Sequence, residues 1–171
     1  MWSPVFFLTI CGRQPGEAGC TDALVGVGIA GRLALGFTRE AESAQIAVRI
    51  ALEDVKNAIR SAMLVEASPD FVGLTEAAEI VGVSRQNMRK LMLANNDFPL
   101  PVHEGNPSVW HLADVLGWLR GRKGYEPDET LREIAAAALQ VNVVKEARRY
   151  DAEASQELER LIAWSFQFPG M

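Results

Sequence analysis

The run Ser84-Arg85-Gln86-Asn87-Met88-Arg89-Lys90-Leu91 gathers, within eight residues, side chains that form directional hydrogen bonds to flat polar edges. An arginine fork can donate two hydrogen bonds to O6 and N7 of guanine, and a glutamine or asparagine amide can pair with N6 and N7 of adenine. Each good pair contributes about 1–3 kcal/mol of discrimination. Arg89, Lys90 and the amides at a helix start can hold phosphates. No acidic residue falls between Ser84 and Ala94, so a compact basic face is available there. This chemistry requires the polar side chains to share the outer face of a helix whose apolar residues are hidden. At about 100° per residue, turning Met88 and Leu91 inward leaves Arg85, Gln86, Arg89 and Lys90 outward, with Asn87 near the edge.

The flanking sequence supplies elements that can hold such a helix. Thr75 is placed to cap a short helix, Glu76 to Val81, which Gly82 ends; Ser84 then caps a second helix from Arg85 to about Ala94. Ala78 falls on the inner face of the first helix, Gly82 suits the positive φ of a tight turn, and Val83, Met88 and Leu91 form an apolar wedge. This is helix-turn-helix spacing. Downstream, Phe98 to His103, a turn at Glu104-Gly105-Asn106-Pro107, and Ser108 to Trp110 read as a two-stranded wing. Leu112, Val115, Trp118 and Leu119 then form a helical stripe that can pack beneath it. Trp110 and Trp118 fall on apolar faces and are expected in the core.

In combination, Gly73-Leu74-Thr75-Glu76-Ala77-Ala78, Gly82-Val83-Ser84-Arg85, Phe98-Pro99-x-Pro101, Trp110 and Asp114-Val115-x-x-Trp118-Leu119 carry a family likeness. Over roughly residues 71–122 the chain resembles the AlpA-type and MerR-like winged helix-turn-helix of phage regulators and excisionases. The resemblance implies that the helix from Ser84 to Ala94 reads the major groove of double-stranded DNA, and that the turn Glu104–Pro107 lies near the backbone or minor groove. The expected DNA-binding set is therefore Thr75, Ser84, Arg85, Gln86, Asn87, Arg89, Lys90, His103 and Asn106. One departure is that the turn carries no Lys or Arg.

Residues 1–69 read as a small βββαβ unit. Val5 to Ile10 is a short apolar strand; Ala23–Val27 and Arg32–Thr38 form a hairpin in which Leu33, Leu35 and Phe37 alternate. From Arg39 the period lengthens, with Ala44, Ala47, Val48, Ala51, Leu52, Val55 and Ile59 marking an amphipathic helix, and Met63–Ala67 supplies a fourth strand. Gly26-Val27-Gly28-Ile29-Ala30-Gly31 matches G-x-G-x-x-G, with Glu53 and Asp54 at ribose-binding distance in sequence. A dinucleotide site, however, needs a helix to start inside the glycines, and here a strand follows. No cofactor is expected. Glu40, Glu42, Glu53 and Asp54 are not paired on strand ends, so no nuclease centre is expected, and the protein reads as non-enzymatic. The βββαβ order, with Gly36-Phe37-Thr38-Arg39-Glu40-Ala41 at the strand-to-helix junction, resembles HicB-like antitoxins. That resemblance implies an alternative in which residues 1–70 neutralise a partner protein such as a toxin.

Residues 125–171 begin with the helix start Glu126-Pro127-Asp128-Glu129 and continue with Leu131, Ile134, Ala138 and Val141 at alternating three and four spacing. These two heptads suggest a homodimer, although packing on the protein's own domains satisfies the same pattern. The apolar spacing fails at Lys145 and Arg148 and resumes at Leu158, Leu161, Ile162 and Phe166. Across 171 residues the net charge is −5, but it divides as −2 over 1–70, +1 over 71–124 and −4 over 125–171. The middle segment is thus the least hostile to an anionic partner. Cys11 and Cys20 have no zinc-ligand spacing and are expected as reduced thiols; His103 and His111 lack further metal ligands nearby. No apolar run reaches the roughly 20 residues of a membrane span and no secretory leader is apparent, so a cytoplasmic location is expected. The expected architecture is α+β: a βββαβ unit over 1–69, a winged helix-turn-helix over 70–124 and a C-terminal helical segment over 125–171. The expected function is that of a sequence-specific transcriptional regulator.

Overall fold

Alternation in the third strand sets the first layer: Leu33, Leu35 and Phe37 point inward and are buried, while Arg32 and Thr38 at its ends are exposed. The computed structural model describes residues 5–11, 23–27, 32–149 and 152–162. The strands β1 (Val5–Cys11), β2 (Ala23–Val27), β3 (Arg32–Thr38) and β4 (Met63–Ser68) form an antiparallel sheet in the order β2-β3-β1-β4. Helix α1 (Ala44–Ala58) begins at Ser43, whose hydroxyl accepts from the amide of Ile46. It lays Ala44, Ala47, Val48, Ala51 and Val55 against Ile10, Leu33, Leu35 and Phe37. The strand and helix order is the βββαβ read from the sequence. Gly26 belongs to β2 and the next element is β3, paired with it from Val27–Leu33 outward. The glycine motif therefore lies at a hairpin, not a helix start; Gly28 to Gly31 lie outside the described residues, as does Cys20.

A second core lies downstream. It contains β5 (Phe71–Val72), α2 (Leu74–Val81), α3 (Arg85–Ala94), β6 (Trp110–His111) and α4 (Leu112–Arg120). Val72, Ala77, Ala78, Met88, Phe98, Trp110, Leu112, Val115, Leu116 and Leu119 are buried together. β5 and β6 pair antiparallel, Phe71 with His111 and Val72 with Trp110, as a separate two-stranded sheet. The protein is thus α+β with two small antiparallel sheets.

Helix α5 (Glu129–Ala147) is capped by Asp128, which accepts from the amide of Leu131 at 2.7 Å. It packs into both cores: Ile134, Ala137 and Ala138 enter the first, Ala135 the second, and Val141 and Leu131 flank them respectively. The stripe Leu131, Ile134, Ala138, Val141, which suggested a dimeric coiled coil, is therefore used within the chain. The reason is proximity, since two apolar cores of the same molecule already lie beside it and their burial requires no second chain. Asn142 on α5 also closes the outer side of β4. Its amide accepts from the Ala67 amide at 2.9 Å and donates to the Ala67 carbonyl at 2.8 Å, while Lys145 donates to the Val65 carbonyl at 2.5 Å. Buried Asp70 receives the Asn142 amide at 2.7 Å and lies 2.6 Å from His111 Nδ1. One polar knot thereby joins β4, β6 and α5, and each buried group in it has a partner, which avoids the cost of an unsatisfied buried polar atom. Helix α6 (Ala152–Ile162) follows; Phe166 lies outside the described residues. No helix among the described residues is long and apolar enough to cross a membrane.

Candidate nucleic-acid interface

The approach of α2 to α3 follows from three local facts. Gly82 ends α2 in the left-handed region at φ 75°, a conformation that a Cβ would strain, and its amide meets the Glu79 carbonyl. The Val83 amide returns to the Ala78 carbonyl at 2.9 Å, turning the chain sharply. Ser84, in extended backbone, then caps α3 by accepting from the Asn87 amide at 3.1 Å. Met88 is 0% exposed and anchors α3 against α2, with Leu91 and Val83 half-buried beside it.

The opposite face of α3 is open. Arg85, Gln86, Asn87, Arg89 and Lys90 are all exposed, as is Ser84 at the cap. No ion pair joins Arg85, Arg89 or Lys90 to an acid among the described residues. Asn87 is the partly engaged member: its side-chain amide donates to the Tyr125 hydroxyl at 3.3 Å. With ten residues at about 1.5 Å each, α3 is about 15 Å long.

Thr75 differs from its expected role. Helix α2 starts at Leu74 with Gly73 as its N-cap, and the Ala77 amide bonds the Gly73 carbonyl at 2.9 Å. A capping residue must have extended backbone, which Gly73 has at φ −81° and ψ 166°, whereas Thr75 is already helical. Packing of Leu74 into the second core draws the helix start forward, leaving Thr75 exposed in the first turn.

The expected wing is reduced to a single bridge. His103 and Val109 exchange hydrogen bonds at 3.0 and 3.3 Å, and Ser108 bonds the Gly105 carbonyl across the turn. Trp110, expected to continue this ladder, pairs instead with Val72. Pro99 and Pro101 have no amide hydrogen to donate, so the Phe98–His103 run cannot sustain a longer ladder. His103 and Asn106 are exposed in this turn, and the His103 ring lies over Gly105, where a Cβ would come within 2.2 Å of its Nε2. Trp110 and Trp118 take the core positions expected of them: Trp110 donates to the Pro99 carbonyl at 3.0 Å, and both rings meet the edge of Phe98.

Sequence reasoning missed the segment that runs beside α3. Arg122 bonds Asn95 at 3.0 Å and Asp97 at 2.5 and 2.6 Å, with its guanidinium 4.1 Å from the Trp118 ring centre. Desolvation pushes the Asp97 carboxyl up, but the hydrogen bonds and charge of Arg122 outweigh it and hold Asp97 below the usual carboxylate range. Tyr125, three residues later, reaches Asn87 near the other end of α3, and exposed Lys123 lies between them. Contacts 25 to 38 residues apart leave no local periodicity that could have revealed them. His111, one of the two histidines weighed as metal ligands, is occupied by Asp70. No family model, curated protein or solved structure matches the chain.

Proposed function

We propose that the protein is a sequence-specific double-stranded DNA-binding transcriptional regulator of winged helix-turn-helix type, with α3 entering the major groove. The observation that carries this reading is the division of α3: Met88 is fully buried while Arg85, Gln86, Arg89 and Lys90 are exposed with no carboxylate partner among the described residues. Arg85 is the first helical residue, where the helix dipole disfavours a cation, and it lies four residues from Arg89, a like-charge spacing that costs about 0.2–0.5 kcal/mol. An anion at this helix start relieves both penalties. In this reading Arg85 and Gln86 contact base edges, and Arg89, Lys90 and the amides behind Ser84 hold phosphates. Asn87 reads a base only by exchanging its Tyr125 partner. The short turn carrying His103 and Asn106 contacts the backbone, and Lys123 adds a cation beside the same helix. Two copies would read two half-sites.

Fluorescence anisotropy against a random duplex pool, followed by selection of the bound sequences, tests the reading. Arg85→Ala with Arg89→Ala is expected to weaken binding by about 30-fold or more and, through the lost Arg89 phosphate contact, to flatten the salt dependence by about one unit of slope. Binding unchanged by this pair, with an unaltered melting temperature, would refute it.

A second reading rests on the outer edge of the first sheet. Among the described residues β2 pairs only on its β3 side, and Leu24 there is 77% exposed. A partner strand added to that edge is the surface an antitoxin-type function would use. Co-purification of a neighbouring gene product that protects β2 amides from hydrogen exchange would favour it.

A further inference from the structure

Helix α3 leaves one large apolar side chain outside the core it packs on. Leu91 and Met92 are half-buried and lie against the second core beside fully buried Met88, whereas Leu93 is 67% exposed and belongs to neither core. At about 100° per residue, Leu93 stands about 140° around the helix from Met88. It is only about 20° from Gln86, about 40° from Arg89 and about 60° from Lys90. A leucine therefore sits in the middle of the cationic face.

Gln86 and Leu93, seven residues apart, mark a line along that face about 10 Å long. Arg89 and Lys90 lie on opposite sides of the line, and all four side chains are exposed. A helix lying in a major groove needs this pattern: base edges on the floor meet its central line, and phosphates on the two walls meet the flanking cations. The floor of the groove offers one apolar group, the 5-methyl of thymine. A protein partner suits Leu93 less well. Apolar side chains closing over it would also strip water from Arg89 and Lys90, which have no carboxylate among the described residues, and an unpaired buried charge is costly.

We propose that Leu93 is a specificity-determining residue that packs on the 5-methyl group of a thymine in the bound duplex. This contact presupposes the reading of α3 as a major-groove helix and names one base of its site. Successive base pairs are about 3.4 Å apart, so the thymine lies about three base pairs from the base that Gln86 contacts. The side chain adds preference without charge, and its contribution is independent of salt.

Selection of bound sequences, then anisotropy titration of the full chain against one selected duplex and its uracil-substituted copies, tests it. Uracil keeps the O4 acceptor and the pairing edge of thymine and lacks only the methyl, which isolates this contact. Gln86→Ala marks the reference position by relaxing preference there. The wild type is expected to bind about 3–10-fold more weakly when the thymine about three base pairs away is replaced by uracil. Leu93→Ala is expected to bind the two duplexes equally, near the wild-type affinity for the uracil copy. Its melting temperature and salt slope should be unaltered, because it removes neither a packed side chain nor a charge. A wild type indifferent to uracil at every thymine of the site, or a Leu93→Ala variant that keeps the thymine preference, overturns the proposal. If Arg85→Ala with Arg89→Ala still weakens binding in that case, the reading of α3 survives; a chain that binds no duplex overturns both. A Leu93→Ala variant with unchanged DNA affinity and a smaller mass by light scattering would give the residue to a second copy of the chain, and likewise overturn the proposal.

Discussion

Arg49 on α1 reaches Glu53 at 2.7 Å and Arg39 before it reaches Asp54 at 2.8 Å, whereas Arg85, Arg89 and Lys90 on α3 meet no carboxylate among the described residues. Both helices bury an apolar stripe against a core, so burial does not distinguish them. The difference lies in what their outer faces do with charge. The outer face of α1 is balanced by its own acids. That of α3 retains uncompensated cations, with Arg85 at the helix end where a cation is least favoured, which makes sense if an anion arrives from outside. A solvated helix without such a role gains from interspersed acids at i, i+4, as α1 has.

Five substitutions probe this contrast. Met88→Ala removes the only fully buried side chain of α3 and is expected to lower stability by about 2–4 kcal/mol in urea unfolding, because the space beneath α3 cannot fully collapse. If stability stays within experimental error, α3 is not anchored as described. Arg85→Ala is expected to reduce affinity for a selected duplex by about 1–3 kcal/mol and to relax preference at one base position, whereas Arg49→Ala leaves binding unchanged. Equal losses for the two would erase the distinction between the helices. Ser84→Ala removes the acceptor for the Asn87 amide and should cost about 1 kcal/mol in thermal or denaturant unfolding. The smallest effect is one of sign: Arg49→Ala loses an exposed i, i+4 pair and Arg89→Ala relieves a like-charge spacing, so stability should move by about 0.2–0.5 kcal/mol down and up, respectively.

Much of the first unit was readable because its signals are local. The period-two burial of Leu33, Leu35 and Phe37 and the three-four spacing from Ala44 to Val55 each require only that one face meet a core. The turn at Gly82 and the cap at Ser84 were readable for the same reason: backbone conformation and a side-chain hydrogen bond three residues away act within one turn. Thr75 misled because two positions on either side of Leu74, Gly73 and Thr75, both suit a helix start, and the partial burial of Leu74 selected between them. The wing misled because β propensity in Ser108 to Trp110 does not name its partner strand; the prolines on one side and Val72 on the other did.

The amino-acid order by itself determined where α2 ends and α3 begins, which face of α3 carries its cations, and that no acid lies beside them along the chain. Only the tertiary structure decided that the α5 stripe turns to the molecule's own cores, that Asn142 seals β4 and meets Asp70, and that Arg122 and Tyr125 brace the two ends of α3. The first group follows from torsions and hydrogen bonds spanning three or four residues. The second depends on which distant surfaces offer the most apolar burial while pairing buried polar groups such as Asn142 and Asp70, a choice that no local stretch of sequence encodes.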